Sequence, residues 1–186
     1  MTNKLTNWGE KLVLMTMALC LIGCLGIPEG ARPVEDFSLE KYLGKWYEIA
    51  RLDHSFERGL SDVTAEYSLR DDGGVRVVNR GFRSARSKWK DAEGKAYFID
   101  DTSIGKLKVS FFGPFYGAYN VIALDQDEYQ WSLVVGPDTD YLWILSRTPV
   151  LDQEIIDQLL SIAGSLGFKT EDLIFVSQDK NQQTDV

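Results

Sequence analysis

His54, the one histidine of the chain, stands between an acid and a hydroxyl in the order Asp53, His54, Ser55. Acid, imidazole and hydroxyl are the groups of the relay that activates a serine nucleophile in many hydrolases. Neighbouring residues of an extended segment point to opposite sides, so these three side chains cannot form that relay. The chain also lacks the HExxH, CxxC, Walker and dinucleotide-binding motifs. We therefore predict that the protein is not an enzyme and that it holds neither a metal nor another cofactor.

The two cysteines, Cys20 and Cys24, lie at the end of a short apolar run, "LVLMTMALCLIGC", which Lys4 and Lys11 precede. A basic segment followed by such a run is typical of a secretory signal, whereas a membrane-spanning helix needs about 20 apolar residues. The final "LIGC" resembles a bacterial lipobox, whose cysteine becomes the first mature residue and is acylated. We predict a lipoprotein signal peptide over residues 1–23 and lipidation of Cys24. The alternative is a plain signal peptide in which the cysteine is incidental.

An acylated Cys24 would anchor the protein in a membrane. One acyl chain binds reversibly and two or more hold stably, because each buried CH₂ contributes roughly 0.8 kcal/mol. Lipoproteins that stay in the inner membrane typically carry Asp after the cysteine, and this chain has Leu25 there. We therefore predict a lipid-anchored protein of the cell outer membrane.

The mature chain is predicted to be acidic and free of thiols. The full chain has a net charge of −8, and removal of Lys4, Lys11 and Glu10 with the signal peptide changes it to −9. Such a surface is a poor match for nucleic acid, so no nucleic-acid partner is expected. Loss of Cys20 and acylation of Cys24 would leave neither a disulfide nor a cysteine nucleophile.

The remaining residues are numerous enough for one domain with its own core. The stretch "GIPEGARPVEDF" leads into this domain, and the polar segment "SQDKNQQTDV" ends the chain. We predict a lipidated N-terminus and tether over residues 24–36, a folded domain over 37–178 and a polar tail over 179–186.

Most of the domain alternates apolar and polar residues with period two. In "DVTAEYSLR", Val63, Ala65 and Tyr67 fall on one face and polar residues on the other, which is the pattern of a half-buried strand. Similar runs are "KWYEIARL", "VRVVNRGF", "WKDAEGKAYFID", "KLKVSFFG", "GAYNVIALD", "YQWSLVVG" and "DYLWILSR". Short connections join these runs, so we predict an all-β fold, an eight-stranded up-and-down antiparallel barrel that closes and thereby removes its edges.

One segment departs from this period. In "LDQEIIDQLLSIAGSLG" the apolar residues Leu151, Ile155 and Leu159 recur near helical spacing, and Gly167 provides a stop. We predict one C-terminal α-helix packed outside the barrel, followed by a short strand, "LIFV".

Short motifs recur in a definite order along nearly the whole mature chain. They begin with a G-x-W strand, Gly44 to Trp46, and end with Arg147 on the last strand and one helix after it. This combination resembles the lipocalin family. The blocks "WYEIAR", "FERGL", "YSLRDDGG", "KVSFFGPFYG", "YNVIALD" and "YLWILSRTP" look like the bacterial outer-membrane lipoprotein lipocalins in particular. The resemblance implies the lipocalin barrel, and the absence of disulfides fits the bacterial branch.

The first strand begins at the barrel end where the eighth finishes, because successive strands alternate direction. Trp46 and Arg147 should therefore meet. The resemblance implies that Trp46 plugs a closed base, and an arginine over its ring would give a cation–π contact of roughly 0.5–2 kcal/mol. We predict Gly44, Trp46 and Arg147 as structural residues of this base.

The interior of an eight-stranded barrel is either filled by side chains or holds one small ligand. Small residues such as Ala65 and Val77 favour a cavity. The resemblance implies a fatty acid or a lysophospholipid as the ligand. We predict ligand contacts from Tyr67, Phe98, Val109, Phe111, Tyr116, Leu133 and Trp143.

The loops at the open end of the barrel carry basic residues in an otherwise acidic protein, namely Arg58, Arg83, Arg86 and Lys88. They form either a solvated rim or a surface for an anionic headgroup of the ligand or the membrane. Glu48 shares the parity of Trp46 and should face inward, where an unpaired carboxylate is costly. The sequence does not identify its partner, which is either another side chain or a hydroxyl or amine of the ligand.

These expectations combine in a lipid-binding outer-membrane lipoprotein that stores or transports fatty acids or lysophospholipids in the cell envelope. Its barrel would face the periplasm, and its partners would be the lipid, the membrane through Cys24, and a second copy in a homodimer. Two alternatives stay open. One is a carrier of another hydrophobic small molecule, and the other is a structural envelope-maintenance lipoprotein whose barrel is incidental.

Overall fold

The structure is a computed structural model that describes residues 25–182. The predicted signal peptide, the acylation site Cys24 and residues 183–186 of the predicted tail lie outside that range. Within it, no helix is long and apolar enough to cross a membrane.

Eight antiparallel strands form a closed barrel, which confirms the predicted fold class. Their bounds are β1 Gly44–Arg51, β2 Leu60–Leu69, β3 Val75–Arg83, β4 Lys88–Phe98, β5 Lys106–Phe112, β6 Phe115–Leu124, β7 Trp131–Val135 and β8 Leu142–Ser146. Each strand pairs with the next along the chain, and β1 pairs with both β2 and β8 to close the sheet. The predicted short strand is β9, Ile174–Phe175, and it adds to the second half of β1.

Three helices accompany the strands in the described part of the chain, α1 Leu39–Tyr42, α2 Gln153–Ser165 and α3 Asp179–Gln182. Single 3₁₀ turns occur at Ser84–Arg86 and Thr170–Asp172. The long helix α2 is the one that the periodicity predicts. It ends shortly before Gly167, whose φ of +84° lies in the left-handed region that glycine tolerates.

The barrel wall separates two apolar cores. One fills the lower barrel and includes Trp46, Tyr67 and Val134. The other lies outside, between α2 and the outer faces of β1, β7 and β8, and includes Leu133 and Leu159. Strands β7 and β8 are therefore buried on both faces, which explains why they are apolar at nearly every position.

The residues predicted as a tether contact the barrel. The Val34 amide donates to the Val121 carbonyl at 2.8 Å, and the Gly105 amide donates to the Val34 carbonyl at 2.9 Å. One residue earlier on β6, Asn120 Nδ2 donates to the Gly26 carbonyl at 3.2 Å. Gly26 and Val34 thus both contact the barrel at β6.

The start of the predicted tail is also in contact with the domain. In α3, the Lys180 amide donates to Asp62 Oδ1 at 2.7 Å, and Asn181 Nδ2 donates to the Asp62 carbonyl at 3.1 Å. Gln178 Nε2 donates to the carbonyls of Glu48 and Val63. These contacts hold the C-terminal segment against β1 and β2.

Candidate ligand-binding site

The barrel encloses a cavity of about 800 Å³ that reaches the loops at one end. This volume lies within the range of roughly 300–1,000 Å³ that is usual for small-molecule sites. Residues of the loops after β1 and β7, among them Phe56 and Tyr141, line its upper part. These loops lie at the end that the strand directions predict to be open. The predicted contact residues that line the cavity are Tyr67, Val109, Phe111, Tyr116 and Trp143.

Two of the predicted contact residues lie elsewhere. Phe98 packs at the base of the barrel, with its ring centroid 6.0 Å from that of Phe37 in an edge-to-face arrangement. It belongs to the interior core but does not line the cavity. Phe37, which precedes α1, lines the cavity instead of Phe98.

The prediction that Leu133 faces the lumen is wrong. Its side chain is fully buried in the outer core under α2. The inward residues of β7 are instead Ser132, which lies within 3.3 Å of the Tyr42 hydroxyl, and Val134. Because β7 is covered on both faces, its apolar pattern does not distinguish the two faces and the parity was misassigned.

Trp46 and Arg147 are in contact at the base of the barrel. The Arg147 guanidinium lies 3.9 Å from the centre of the fully buried Trp46 ring. Arg147 also donates to the carbonyls of Tyr129, Lys45 and Lys41. Gly44 has a φ of +94°, and a side chain there would begin 3.5 Å from Arg147 Nη1. Glycine is therefore favoured at this position.

Three tyrosine hydroxyls meet near the base of the barrel. The Tyr119 hydroxyl lies 2.8 Å from those of both Tyr42 and Tyr67. Burial raises the pKa of Tyr42 to about 12 and raises the pKa of Tyr67 and of Tyr119 well above the usual range. The hydroxyls therefore stay protonated and hydrogen-bond to one another, so this polar group can be buried at little cost.

The buried partner of Glu48 is Arg51. Arg51 Nη1 donates to Glu48 Oε1, and both side chains are almost completely buried. The pairing of β1 with β8 shifts register between Glu48 and Ala50. Strict alternation would place residues 48 and 51 on opposite faces, and the bulge brings them to the same one. The sequence predicts the inward Glu48, whereas the bulge has no clear signal in it.

The loop after β1 adds a second buried acid to this pair. Glu57 Oε2 accepts a hydrogen bond from Trp143 Nε1 at 3.1 Å. His54 Nε2 lies 3.0 Å from the same oxygen. That last contact is at ion-pair distance but is not aligned as a hydrogen bond, and His54 Nδ1 has no hydrogen-bond partner within residues 25–182. Arg51 Nη2 donates to the Glu57 carbonyl at 3.1 Å. His54 is thus a buried neighbour of Glu57, not of a nucleophile.

The two acids differ in their ionisation. Burial, together with the nearby Glu57 charge, raises the pKa of Glu48 well above its usual range, although Arg51 opposes the rise. Burial also favours the protonated form of Glu57, but contacts with His54, the Trp143 N–H and Arg51 outweigh it and lower the pKa. Glu57 is therefore the charged carboxylate of the pair.

The predicted basic residues of the mouth do not line the cavity. Arg58 pairs with Asp53 at 2.8 Å, and both side chains are exposed. Arg86 and Lys88 are exposed and Arg83 is half-buried, on or beside the 3₁₀ turn between β3 and β4. The structure therefore keeps these four residues on the rim and outside the wall.

Two phenylalanines of the β5–β6 hairpin are largely exposed to solvent. The relative exposure of Phe112 is 78% and that of Phe115 is 69%, and both belong to the β5–β6 hairpin.

No group of three or more His, Cys, Asp or Glu side chains in the described range is arranged to hold a metal ion.

Comparison with known proteins agrees with this architecture. A sequence model described as a lipocalin-like domain matches residues 37–178. The chain is 55% identical over 167 residues to the outer membrane lipoprotein Blc of Vibrio cholerae serotype O1, which covers 90% of this chain and 98% of the relative. It is 53% identical over 165 residues to the protein of the same name from Escherichia coli strain K12, at 88% and 93% coverage. Apolipoprotein D of Bos taurus is 38% identical over 152 residues, at 77% and 78% coverage.

Solved structures are similar at lower sequence identity. Insecticyanin from the tobacco hornworm Manduca sexta matches with a TM-score of 0.65 and 24% identity, over 82% of this chain and 86% of that one. Lobster apocrustacyanin A1 matches with a TM-score of 0.62 and 16% identity, over 86% and 99%. At such identities the likeness concerns the fold alone.

Proposed function

Because the chain belongs to the lipocalin-like family, we propose that it binds one fatty acid or lysophospholipid inside its barrel and stores or carries it in the cell envelope. The observation that carries this proposal is the cavity of about 800 Å³, apolar over most of its wall and open at one end. We propose that the protein acts by binding and not by catalysis.

The acyl chain is proposed to lie along the apolar part of the wall. Val109 and Phe111 come from β5, Tyr67 from β2, Tyr116 from β6 and Trp143 from β8, so the proposed contacts surround the chain. Burial of about sixteen carbons contributes on the order of 12 kcal/mol at most. Association costs about 4–15 kcal/mol. The balance supports affinity sufficient for a carrier that must also release its ligand.

The prediction of an outer-membrane lipoprotein lipocalin is confirmed, since the bacterial relatives are named outer membrane lipoproteins and match nearly the whole chain. We propose that the anchor is acylated Cys24. The full-length Cys24→Ser protein should then appear in the soluble periplasmic fraction, whereas the unsubstituted protein pellets with outer membranes. Continued pelleting of the variant would contradict acylation of this cysteine.

The start of the described chain supports an orientation for the barrel on the periplasmic side. Gly26 lies beside the β7–β8 loop at the mouth, where a Cβ on it would be 3.4 Å from the Pro137 carbonyl oxygen. Cys24, the predicted anchor residue, precedes Gly26 by two positions in the sequence. We propose that the mouth, with exposed Phe112 and Phe115, faces the membrane that holds the anchor.

Native mass spectrometry with lipid extraction tests the binding function. The full-length Cys24→Ser protein, which cannot be acylated there, is purified without detergent. A fatty acid or lysophospholipid held at one per barrel or per assembly supports the proposal, and the same spectra test the predicted homodimer. A different hydrophobic molecule in the spectra would support the carrier alternative. An empty barrel that takes up none of a panel of lipids would favour a structural envelope role.

A further inference from the structure

The charged residues of the cavity wall are mostly acidic. The acidic ones are Glu48, Glu57, Asp91, Glu93 and Asp138, and the basic ones are Arg80 and Lys90. Both basic residues have local partners. Arg80 Nη1 lies 3.4 Å from Asp91 and the guanidinium lies over the Trp89 ring, while Lys90 Nζ lies 3.5 Å from the Phe56 carbonyl. An anionic headgroup would therefore find little positive charge on this wall.

The two buried acids face the cavity, with Arg51 behind them and with His54 Nε2 3.0 Å from Glu57 Oε2. Glu48 and Glu57 line the cavity, whereas Arg51, which is 1% exposed, does not. Arg51 directs Nη1 at Glu48 and Nη2 at the carbonyls of Glu57 and Leu60. It therefore makes no hydrogen bond to the Glu57 carboxylate. The Glu57 carboxylate therefore presents negative charge to the cavity.

Three aromatic rings share this part of the cavity wall with Glu57, and one of them contacts its carboxylate. Phe56, Tyr141 and Trp143 all line the cavity. The centroids of Tyr141 and Trp143 are 6.3 Å apart, those of Phe56 and Trp143 are 6.5 Å apart, and Trp143 is itself hydrogen-bonded to Glu57. Aromatic faces beside a carboxylate are the environment that proteins use for ammonium groups, since both attract a cation.

We propose that this wall, formed by Glu57, Phe56, Tyr141 and Trp143, is an ammonium subsite that selects lipids with a cationic group in the head. The inference rests on the proposed function and narrows its ligand. Among the ligands of the proposed function, the subsite favours zwitterionic lysophospholipids with an ethanolamine or choline group. Fatty acids, and lysophospholipids without an amine, should bind less tightly. The Asn79 side-chain oxygen, which is buried and has no hydrogen-bond partner in the described residues, supplies a further acceptor on the wall.

The subsite predicts an order of affinities among lipids that share one acyl chain. The full-length Cys24→Ser protein is titrated below micellar concentrations with lysophosphatidylethanolamine, lysophosphatidylcholine and lysophosphatidic acid, each displacing a fluorescent fatty acid. The first two should bind at least tenfold more tightly than the third. Equal binding, or tighter binding of lysophosphatidic acid, would overturn the subsite while leaving the lipid-binding function in place. Failure of all of them, and of the fluorescent fatty acid, would overturn both.

Glu57→Gln tests whether the carboxylate causes this preference. The substitution removes the charge and keeps the size, so the ratio of affinities between amine and non-amine lipids should fall by about tenfold, because the ammonium loses an opposite charge close to it. Glu93→Gln is the matched control. Glu93 also lines the cavity, but it is exposed and paired with Arg76 at 2.6 Å. The control should keep the ratio, and an equal fall in both variants would overturn the assignment to Glu57.

A second variant covers the case in which Glu57→Gln does not fold. Phe56 is 44% exposed, so Phe56→Leu should fold normally. Loss of its ring should lower the affinity for lysophosphatidylcholine severalfold more than that for a fatty acid of the same chain. A parallel loss for both lipids would show a contact with the acyl chain only and would overturn the role of this ring.

Discussion

The two ends of the barrel differ in the burial of their aromatic rings and in the hydrogen bonding of their polar groups. At the base, the fully buried Trp46 lies under Arg147, and the guanidinium donates from all three of its nitrogens to backbone carbonyls. At the mouth, Phe112 and Phe115 are exposed, and buried nitrogens of Arg51 and His54 have no hydrogen-bond partner within the described chain. At the base, the Arg147 guanidinium is hydrogen-bonded and the Trp46 ring is buried. At the mouth, these two rings are exposed and these buried nitrogens lack partners within the described residues.

This difference indicates where stability and binding reside. A base whose groups are packed and hydrogen-bonded contributes to the free energy of unfolding. Exposed rings and buried polar atoms without partners lower the free energy of unfolding. Proteins retain them where another molecule can cover the rings and hydrogen-bond to the polar atoms. Substitutions at the base should therefore change stability, and equivalent ones in the upper barrel should change affinity.

The largest expected effect is at the base. Trp46→Ala removes a fully buried ring and the cation–π contact with Arg147, so the free energy of unfolding should fall by about 3–5 kcal/mol. Urea unfolding followed by far-UV circular dichroism measures the change. Trp89→Ala, at a half-buried tryptophan beside the mouth, is the matched control and should cost clearly less. Equal losses would contradict the division between the two ends.

The next effect is on binding. Phe111→Ala removes a ring that lines the cavity from β5, and we expect about tenfold weaker fatty-acid binding with a small change in stability. Trp143→Ala should weaken binding as well, but it also removes the hydrogen bond to buried Glu57 and should lower stability. Phe175→Ala on the outer strand β9 is the control for fluorescence displacement titrations. Unchanged affinity in both cavity variants would contradict the assigned lumen.

The sequence predicts the base and much of the cavity because their signals are local. Alternation on β2 and β5 identifies Tyr67, Val109 and Phe111, and the antiparallel order of strands brings Trp46 to Arg147. Leu133 was misassigned because β7 is apolar on both faces and its parity depends on the position of α2, which the strand pattern does not contain. Because β7 is buried on both faces, its residues do not alternate between apolar and polar, and the alternation cannot identify its inward face.

The buried acids of the upper barrel depend on features that a sequence pattern does not show. Glu48 is predictable as an inward carboxylate, but its partner Arg51 reaches the same face only through the bulge in β1. Glu57 and His54 lie in a loop, and loops give no periodic signal from which burial can be inferred. The motif "WYEIAR" followed by "FERGL" contains all the participants, yet only the folded chain brings them together.

The smallest expected effect concerns the charge of this acid cluster. Folding raises the pKa of Glu48, so the folded state binds its proton more tightly than the unfolded state does. Its contribution to stability is therefore fully present below its unfolded pKa, near 4.5, and declines as the pH rises toward the raised folded value. Glu48→Gln cannot titrate, so the unsubstituted protein should lose stability relative to this variant as the pH rises from 5 to 8. Urea unfolding at both pH values measures the difference, with Glu66→Gln on the exposed face of β2 as the control. A constant difference between the protein and its Glu48→Gln variant would mean that Arg51 holds Glu48 ionised, and the mouth would then carry two charged carboxylates instead of one.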